Sequence, residues 1–152
     1  MIPYDIIGTI TGIIGAITGV ASLIWHILNN KSKIIVKSVY FKKGGFSITE
    51  PRGQEIIGVR ILIRNRSDRS ATLEKIYFSI GRYFKEPHFH QTRLEGNSSK
   101  ELEFEIPFSE EDYKEIESIG TLEFRVIIEH TFGKIKIVKK GNMFRTGHLH
   151  LI

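Results

Sequence analysis

The feature that most constrains this chain is an uncharged apolar stretch from Ile6 to Leu28, IIGTITGIIGAITGVASLIWHIL. It contains no Asp, Glu, Lys or Arg, and a helix needs only about 20 apolar residues to cross roughly 30 Å of hydrocarbon. Asp5 and Lys31 bracket the stretch. We therefore predict one transmembrane helix within residues 1–30, followed by a single soluble domain over residues 31–152.

Small residues recur along this stretch at alternating spacings of four and three, which place them on one side of a helix. The members of this stripe are Gly8, Gly12, Gly15, Gly19, Ser22 and His26. Glycine costs a water-exposed helix roughly 1 kcal/mol relative to alanine, whereas in lipid it lets helix backbones approach closely. The pattern predicts a helix–helix interface and a homo-oligomer. The alternative is a lone anchor whose glycines reflect the usual composition of membrane helices.

The charges that flank the stretch indicate how it lies in a membrane. Residues 31–66 hold nine Lys or Arg against two Glu, whereas only Asp5 precedes the stretch. The positive-inside rule then puts the C-terminal domain in the cytoplasm and the N-terminus outside. We expect Lys31, Lys33 and Lys37 to lie at the membrane surface. A secretory signal peptide fits less well, because no positive charge precedes the apolar run and a lysine follows it.

The soluble part alternates between apolar and polar residues with the period of a β-strand. The clearest series are Ile57, Val59, Ile61 and Ile63; Leu102, Phe104 and Ile106; and Leu122, Phe124, Val126 and Ile128. Eight or nine short strands at this spacing predict a mainly β fold, an antiparallel β-sandwich rather than a barrel. Phe104, Phe124, Val126 and Ile128 are predicted to be buried between the sheets.

Local signals add detail to this prediction. Leu73 is out of phase with the strand that follows it, which indicates a β-bulge near Glu74 and Lys75. Ser109 with Asp112 resembles a capping box and predicts a short helix that ends before Gly120. We also predict a strand over residues 46–49 that pairs back onto the strand before it, and a last strand over residues 143–151.

Part of the chain resembles a known group of proteins. The segment VRILIRNRSDRSATLEKIYFSIG, residues 59–81, resembles the strand, polar turn and strand of immunoglobulin-like domains in uncharacterised single-pass membrane proteins. The helical turn SEEDYKEI before TLEFRVIIEH, and then the hairpin HTFGKIKI, are similar to their later crossover and final hairpin. The paired Cys and core Trp of antibody domains are missing. The resemblance therefore implies an immunoglobulin-like architecture and no activity.

No motif in the chain indicates catalysis. The chain has no cysteine, which excludes disulfides, thiolate metal sites and a cysteine nucleophile. Phosphate-binding loops, dinucleotide fingerprints and nucleophile elbows are also missing from the sequence. We therefore predict a protein that is not an enzyme and needs no cofactor.

Two sets of side chains are candidate ligand sites. Arg60 and Arg64 share a strand face, with Arg66 and Arg69 in the adjoining turn, and such a cluster could bind a small anionic ligand. The alternative is charge pairing with the acidic segment 100–123. His88, His90, His148 and His150 could bind zinc if their strands met, but exposed histidines are the favoured interpretation, so no metal is predicted. Nucleic acid is unlikely, because the basic stretch lacks interleaved exposed aromatic residues.

These patterns leave two classes of function. The first is a non-enzymatic membrane effector, in which a cytoplasmic sandwich senses a partner or ligand and the glycine-striped helices cluster and perturb the bilayer. The second is a structural subunit of a pilin-like filament, with hydrophobic helices in its core and sandwiches outside.

Overall fold

The computed structural model describes residues 4–29, 33–46 and 54–152. The chain divides into two compact units, Met1–Ser32 and Lys33–Ile152. The first contains helix α1, Tyr4–Asn29. We call the second unit the β domain.

The β domain contains nine strands and two short helices among its described residues. The strands are β1 (Ile34–Lys43), β2 (Gln54–Asn65), β3 (Ala71–Ile80), β4 (Tyr83–Lys85), β5 (Thr92–Leu94), β6 (Ser99–Ser109), β7 (Leu122–His130), β8 (Gly133–Gly141) and β9 (His148–His150). The helices are α2 (Glu110–Ser118) and α3 (Met143–Thr146). The chain therefore has a mainly β fold preceded by one apolar helix.

The strands form two antiparallel sheets. The order in the first is β6-β2-β1-β9, and in the second it is β4-β3-β7-β8. Strand β5 pairs with residues 71–73 of β3, while β4 pairs with residues 78–80. Both short strands lie on the side of β3 that faces away from β7.

The alternating apolar residues of both sheets share one core. The ring of Phe41 in the first sheet lies 5.1 Å from that of Phe124 in the second, and the rings of Phe78 and Phe104 are 5.3 Å apart. The predicted burial of Phe104, Phe124, Val126 and Ile128 is confirmed. Period-two alternation identified these residues because successive side chains of a strand point to opposite faces of its sheet.

Two local predictions are also confirmed. The register of β3 against β7 shifts between Leu73 and Lys75, which is the predicted bulge. The Ser109 side chain accepts a hydrogen bond from the backbone N–H of Asp112 at the start of α2. Tyr113 and Ile116 on this helix are buried against the core.

The prediction of one strand over residues 143–151 is wrong for its first half. Residues 143–146 form α3 instead, and only β9 is extended. The Asn142 side chain accepts from the N–H of Arg145 and so caps the helix, while Gly147 ends it at φ +78°. A capping asparagine and a left-handed glycine outweigh the strand pattern over these few residues.

The predicted strand over residues 46–49 lies largely outside the described residues. Phe46 itself is not in a strand. The Gly58 backbone and the Phe46 ring are so close that a Cβ at Gly58 would lie 2.8 Å from a ring carbon. In the described part of the chain, β1 pairs with β2 and with β9.

The strand registers give the β domain two ends. At one end, which we call the entry end, Lys33 and the start of β1 lie beside the turn 65–70, residues 95–99 and the hairpin turn 131–133. At the other, the far end, lie α2, the turn between β3 and β4, and the segment that contains α3. A strand of ten residues separates the two ends by roughly 30 Å.

Candidate functional site

Helix α1 is long and apolar enough to span a membrane, judged by length and composition. The apolar span runs over Ile6–His26, 21 residues with a mean hydropathy of 1.9, and none of it is buried. The exposed fraction of its large apolar side chains ranges from 48% at Ile6 to 69% at Trp25. An exposed apolar surface of this extent indicates contact with lipid or with another protein chain.

The predicted stripe of small residues lies along one side of α1, since the helix is continuous from Tyr4 to Asn29. A Cβ added at Gly8, Gly12, Gly15 or Gly19 would meet nothing within 4 Å. The hydroxyls of Thr11 and Thr18 donate to the carbonyls of Ile7 and Ile14, so these polar groups are satisfied within the helix. Ser22 and His26 continue the stripe.

The four predicted anion-binding arginines do not share one pocket. Arg60 is already engaged, because its guanidinium lies 2.5 Å from Glu103, 3.5 Å from Glu101 and 4.7 Å from the centre of the Phe46 ring. Arg64 is four residues further along β2, which places it about 13 Å away. The acidic partners of Arg60 belong to segment 100–123, as the alternative interpretation proposed.

Arg64, Arg66 and Arg69 lie together at the entry end, in the last part of β2 and the turn that follows. The backbone N–H of Arg66 donates to the carbonyl of Lys33 at 2.9 Å, so Lys33 joins the same end. Both Lys33 and Lys37 are exposed, and Lys37 lies at the register shift of β1. Lys31 lies outside the described residues.

The two predicted histidine pairs lie in different parts of the β domain. The rings of His148 and His150 are 5.9 Å apart and flank Tyr40 on the first sheet. Those of His88 and His90 are 4.6 Å apart in the segment between β4 and β5. Among the described residues, no group of three or more His, Cys, Asp or Glu could hold a metal ion.

The structure also contains a cavity that the sequence patterns did not indicate. It has a volume of about 490 Å³ and lies between β3 and the segment that joins β4 to β5. Its lining residues are Glu74, Lys75, Ile76, Glu86, Pro87, His88, Phe89 and Gln91. The only sequence signals at this place were the bulge in β3 and Pro87, which interrupts the strand pattern.

This cavity lies where β3 has no neighbouring strand on the side away from β7. Residues 74–77 fall between the parts of β3 that pair with β5 and with β4. In the described structure, no backbone hydrogen bond joins them to residues 86–91. Interaction with Tyr77 and then with Glu86 raises the pKa of Lys75, so the cavity offers a stable cation beside two carboxylates.

The comparisons with known proteins give no family for this chain. No protein-family model matches it, and no curated protein matches it. Its structure is similar to that of ApaA from Bordetella pertussis, with 12% identity, a TM-score of 0.44, and coverage of 80% of this chain and 94% of that one. A protein from Archaeoglobus fulgidus is similar at 11% identity and a TM-score of 0.46, with 76% and 95% covered. With TM-scores below 0.5, neither likeness supports a statement about function.

Proposed function

We propose that this protein is a non-enzymatic membrane effector whose α1 helices associate through the glycine stripe while the β domain binds a ligand or partner in the cytoplasm. The observation that carries the proposal is the stripe formed by Gly8, Gly12, Gly15 and Gly19 along one side of an apolar helix whose span is exposed throughout. Each glycine weakens a helix by roughly 1 kcal/mol relative to alanine. Close approach of a second helix offsets that cost, because small residues allow backbone contact in lipid.

The strand order supports an immunoglobulin-like architecture for the β domain. In immunoglobulin folds, the first, second and fifth strands lie in one sheet, while the third, sixth and seventh form the other. Here β1, β2 and β6 are neighbours in the first sheet, and β3, β7 and β8 are neighbours in the second. The short strands β4 and β5 are additions to the edge of β3. Such folds carry many functions, so the architecture does not itself identify a ligand.

The cavity beside β3 supports the ligand-binding part of the proposal. A concave site with a few convergent polar groups is the usual form of a small-molecule site. This cavity brings Glu74, Lys75 and Glu86 together over a segment of β3 that has no strand partner on that side. It is also anchored, since the Phe89 ring packs against the core 6.0 Å from that of Phe104.

The part of the proposal that concerns self-association of α1 can be tested by one substitution on the stripe. Gly15→Ile places four carbon atoms where a neighbouring backbone would lie. Overpacking costs about 1 to 3 kcal/mol at one site, and a symmetric oligomer repeats that cost at every interface. Since isoleucine is at least as apolar as glycine, the helix still inserts. Chemical cross-linking in membranes should therefore give a ladder for the natural chain and only monomer for Gly15→Ile.

The matched control is Ile17→Leu, which conserves volume at a position away from the stripe and should leave the ladder unchanged. An unchanged ladder for Gly15→Ile would overturn the proposed interface. A ladder that extends without limit, as an open polymer does, would favour the pilin-like filament over a closed effector oligomer.

A further inference from the structure

The entry end of the β domain is built from four separate segments that together carry an excess of positive charge. The segments are residues 33–34, 64–70, 95–100 and 130–134. Their cations are Lys33, Arg64, Arg66, Arg69, Lys100 and Lys134, and their acids are Asp68 and Glu95. The three arginines are close together in the sequence, and the fold adds Lys33, Lys100 and Lys134 to them.

Hydrogen bonds hold this end in one shape. The Asn65 side chain is fully buried and donates to the carbonyls of Arg69 at 2.7 Å, Glu95 at 3.2 Å and Leu94 at 3.3 Å. Its oxygen accepts from the N–H of Ser67 at 3.0 Å. The two amide hydrogens of Asn65 are shared among these three carbonyls, and this buried group ties the turn 65–70 to residues 94 and 95.

The two acids of this end are already engaged. Asp68 accepts a hydrogen bond from the Asn97 side chain at 2.7 Å, and Glu95 lies 2.9 Å from Arg93. Lys134 is paired with Glu129 at 3.3 Å. Among the described residues, no ion pair joins Arg64 or Arg66 to a carboxylate. The exposed charge of this end is therefore positive.

The far end differs, because it carries both signs of charge. Helix α2 carries Glu110, Glu111, Asp112, Glu115 and Glu117, with Lys114 as its one cation. Lys43 and Arg82 are paired with Glu117 and Glu115 at 2.7 Å and 2.5 Å. Lys140 and Arg145 also lie at this end, so the excess of positive charge belongs to the entry end alone.

An exposed aromatic side chain also lies at the entry end. Phe132, at the turn between β7 and β8, is 39% exposed. Its backbone N–H donates to Nδ1 of His130 at 3.2 Å, and Gly133 follows at φ +143°. An exposed aromatic ring beside lysine and arginine is typical of protein surfaces that contact the polar region of a bilayer.

The entry end is the end of the β domain at which the chain arrives from α1. Four peptide units join Asn29 to Lys33, and they span at most about 15 Å when fully extended. If α1 crosses a bilayer, the entry end is therefore the end of the β domain that the chain attaches to the membrane. A tethered surface meets lipid at a high effective concentration, which an acidic protein in solution does not share.

We propose that the entry end, with Arg64, Arg66, Arg69 and Phe132 as its principal contacts, docks on the anionic headgroups of the membrane that α1 spans. This inference rests on the membrane part of the proposed function and adds a second contact to it. Each basic residue close to an anionic surface strengthens binding roughly fivefold. Docking in this orientation keeps the carboxylates of α2, at the far end, away from the anionic headgroups that would repel them.

The test uses the full chain in phosphatidylcholine vesicles with or without about 30% phosphatidylglycerol, since only the latter carry a negative surface potential. The chain has no natural cysteine, so single cysteines can carry a fluorophore. Ser99→Cys places it at the entry end, and Thr121→Cys places it at the far end; both side chains are exposed. A nitroxide on the lipid headgroup quenches a fluorophore that contacts the surface.

We expect strong quenching at position 99 in anionic vesicles, little in neutral ones, and little at position 121 in either. Arg64→Gln, Arg66→Gln and Arg69→Gln together should weaken docking on the order of a hundredfold, enough to remove the difference between the two vesicle types. The control variant, with Lys136→Gln, Lys140→Gln and Arg145→Gln together, removes the same charge elsewhere. It should leave the difference between the two vesicle types intact. Raising the salt from about 0.05 to 0.5 M should mimic the arginine variant without any substitution.

Equal quenching at position 99 in both vesicle types, unaffected by salt, would overturn the proposal. The cations of the entry end would then be assigned to the binding of an acidic protein. The result of the quenching experiment is independent of whether the α1 helices associate. Gly15→Ile should leave quenching at position 99 unchanged, and the arginine variant should leave the cross-linking ladder unchanged.

Discussion

At the scale of single residues, Phe124 is the most informative position in the core. It is fully buried and lies against Phe41 of the opposite sheet. Phe124→Ala should lower the free energy of unfolding by about 3 to 5 kcal/mol, because a cavity replaces the ring. Far-UV circular dichroism during urea unfolding measures this, since it follows the strands, whereas Trp25 reports only on α1.

The control for this substitution is Phe84→Ala. Phe84 is 59% exposed and stacks on Tyr77, so its removal should cost no more than about 1.5 kcal/mol. Equal effects of the two substitutions would mean that the two sheets do not pack as described.

His130 is a buried polar residue that the strand pattern did not distinguish from its apolar neighbours. Burial lowers its pKa below the ordinary value, and the nearby Glu74 carboxylate opposes this only in part. The neutral form suits the site, because Nδ1 accepts a hydrogen bond from the N–H of Phe132. An imidazolium has no acceptor, so protonation removes that bond.

The stability of the β domain should therefore depend on the protonation of His130. The folded state binds this proton more weakly than the unfolded state, in which the pKa is about 6.5. The contribution of neutral His130 is present above that pH and is lost as the pH falls through the lower folded-state pKa. Urea unfolding between about pH 7.5 and 5 should show a smaller loss for His130→Gln than for the natural chain; parallel curves would contradict the assignment.

At the scale of elements, the stability of α2 depends on its N-terminal cap. The Ser109 hydroxyl accepts from the N–H of Asp112 at 3.1 Å. Ser109→Ala leaves that donor without its partner and should cost about 1 kcal/mol of unfolding free energy. Ser118→Ala, at the other end of the same helix, changes an exposed hydroxyl and should stay within about 0.5 kcal/mol. A loss from Ser118→Ala as large as that from Ser109→Ala would argue against capping.

Elements differ in how well their sequence predicted them. Strands β6 and β7 and helix α2 were predictable because periodicity and capping are local properties of consecutive residues. The segment 143–151 was not, since its strand pattern and its capping residues compete over only nine positions. Strands β4 and β5 are three residues each, which is too short for an alternating pattern to predict a strand. They are strands because they pair with β3.

At the scale of the whole molecule, the orientation in the membrane is a prediction of the lysine bias after α1. A cysteine in the β domain should resist a membrane-impermeant maleimide in intact cells and react once they are lysed. Position 121 suits this better than Gly44, which has a φ of +81° and would be strained by a side chain. Rapid labelling of Thr121→Cys in intact cells would reverse the orientation and favour the pilin-like alternative.

Helix α1, the mainly β domain and most of its core follow from local patterns of residues, because hydrophobic periodicity follows directly from helix and strand geometry. The contacts between charged residues depend instead on the fold. The register of β2 against β6 pairs Arg60 with Glu101 and Glu103, and the backbone hydrogen bond between Arg66 and Lys33 brings Lys33 to the arginines that the sequence already places together. The cavity beside β3 likewise arises because two short strands leave residues 74–77 without a strand partner on the side away from β7. Register and strand order depend on contacts between residues far apart in the chain, and no local pattern records them.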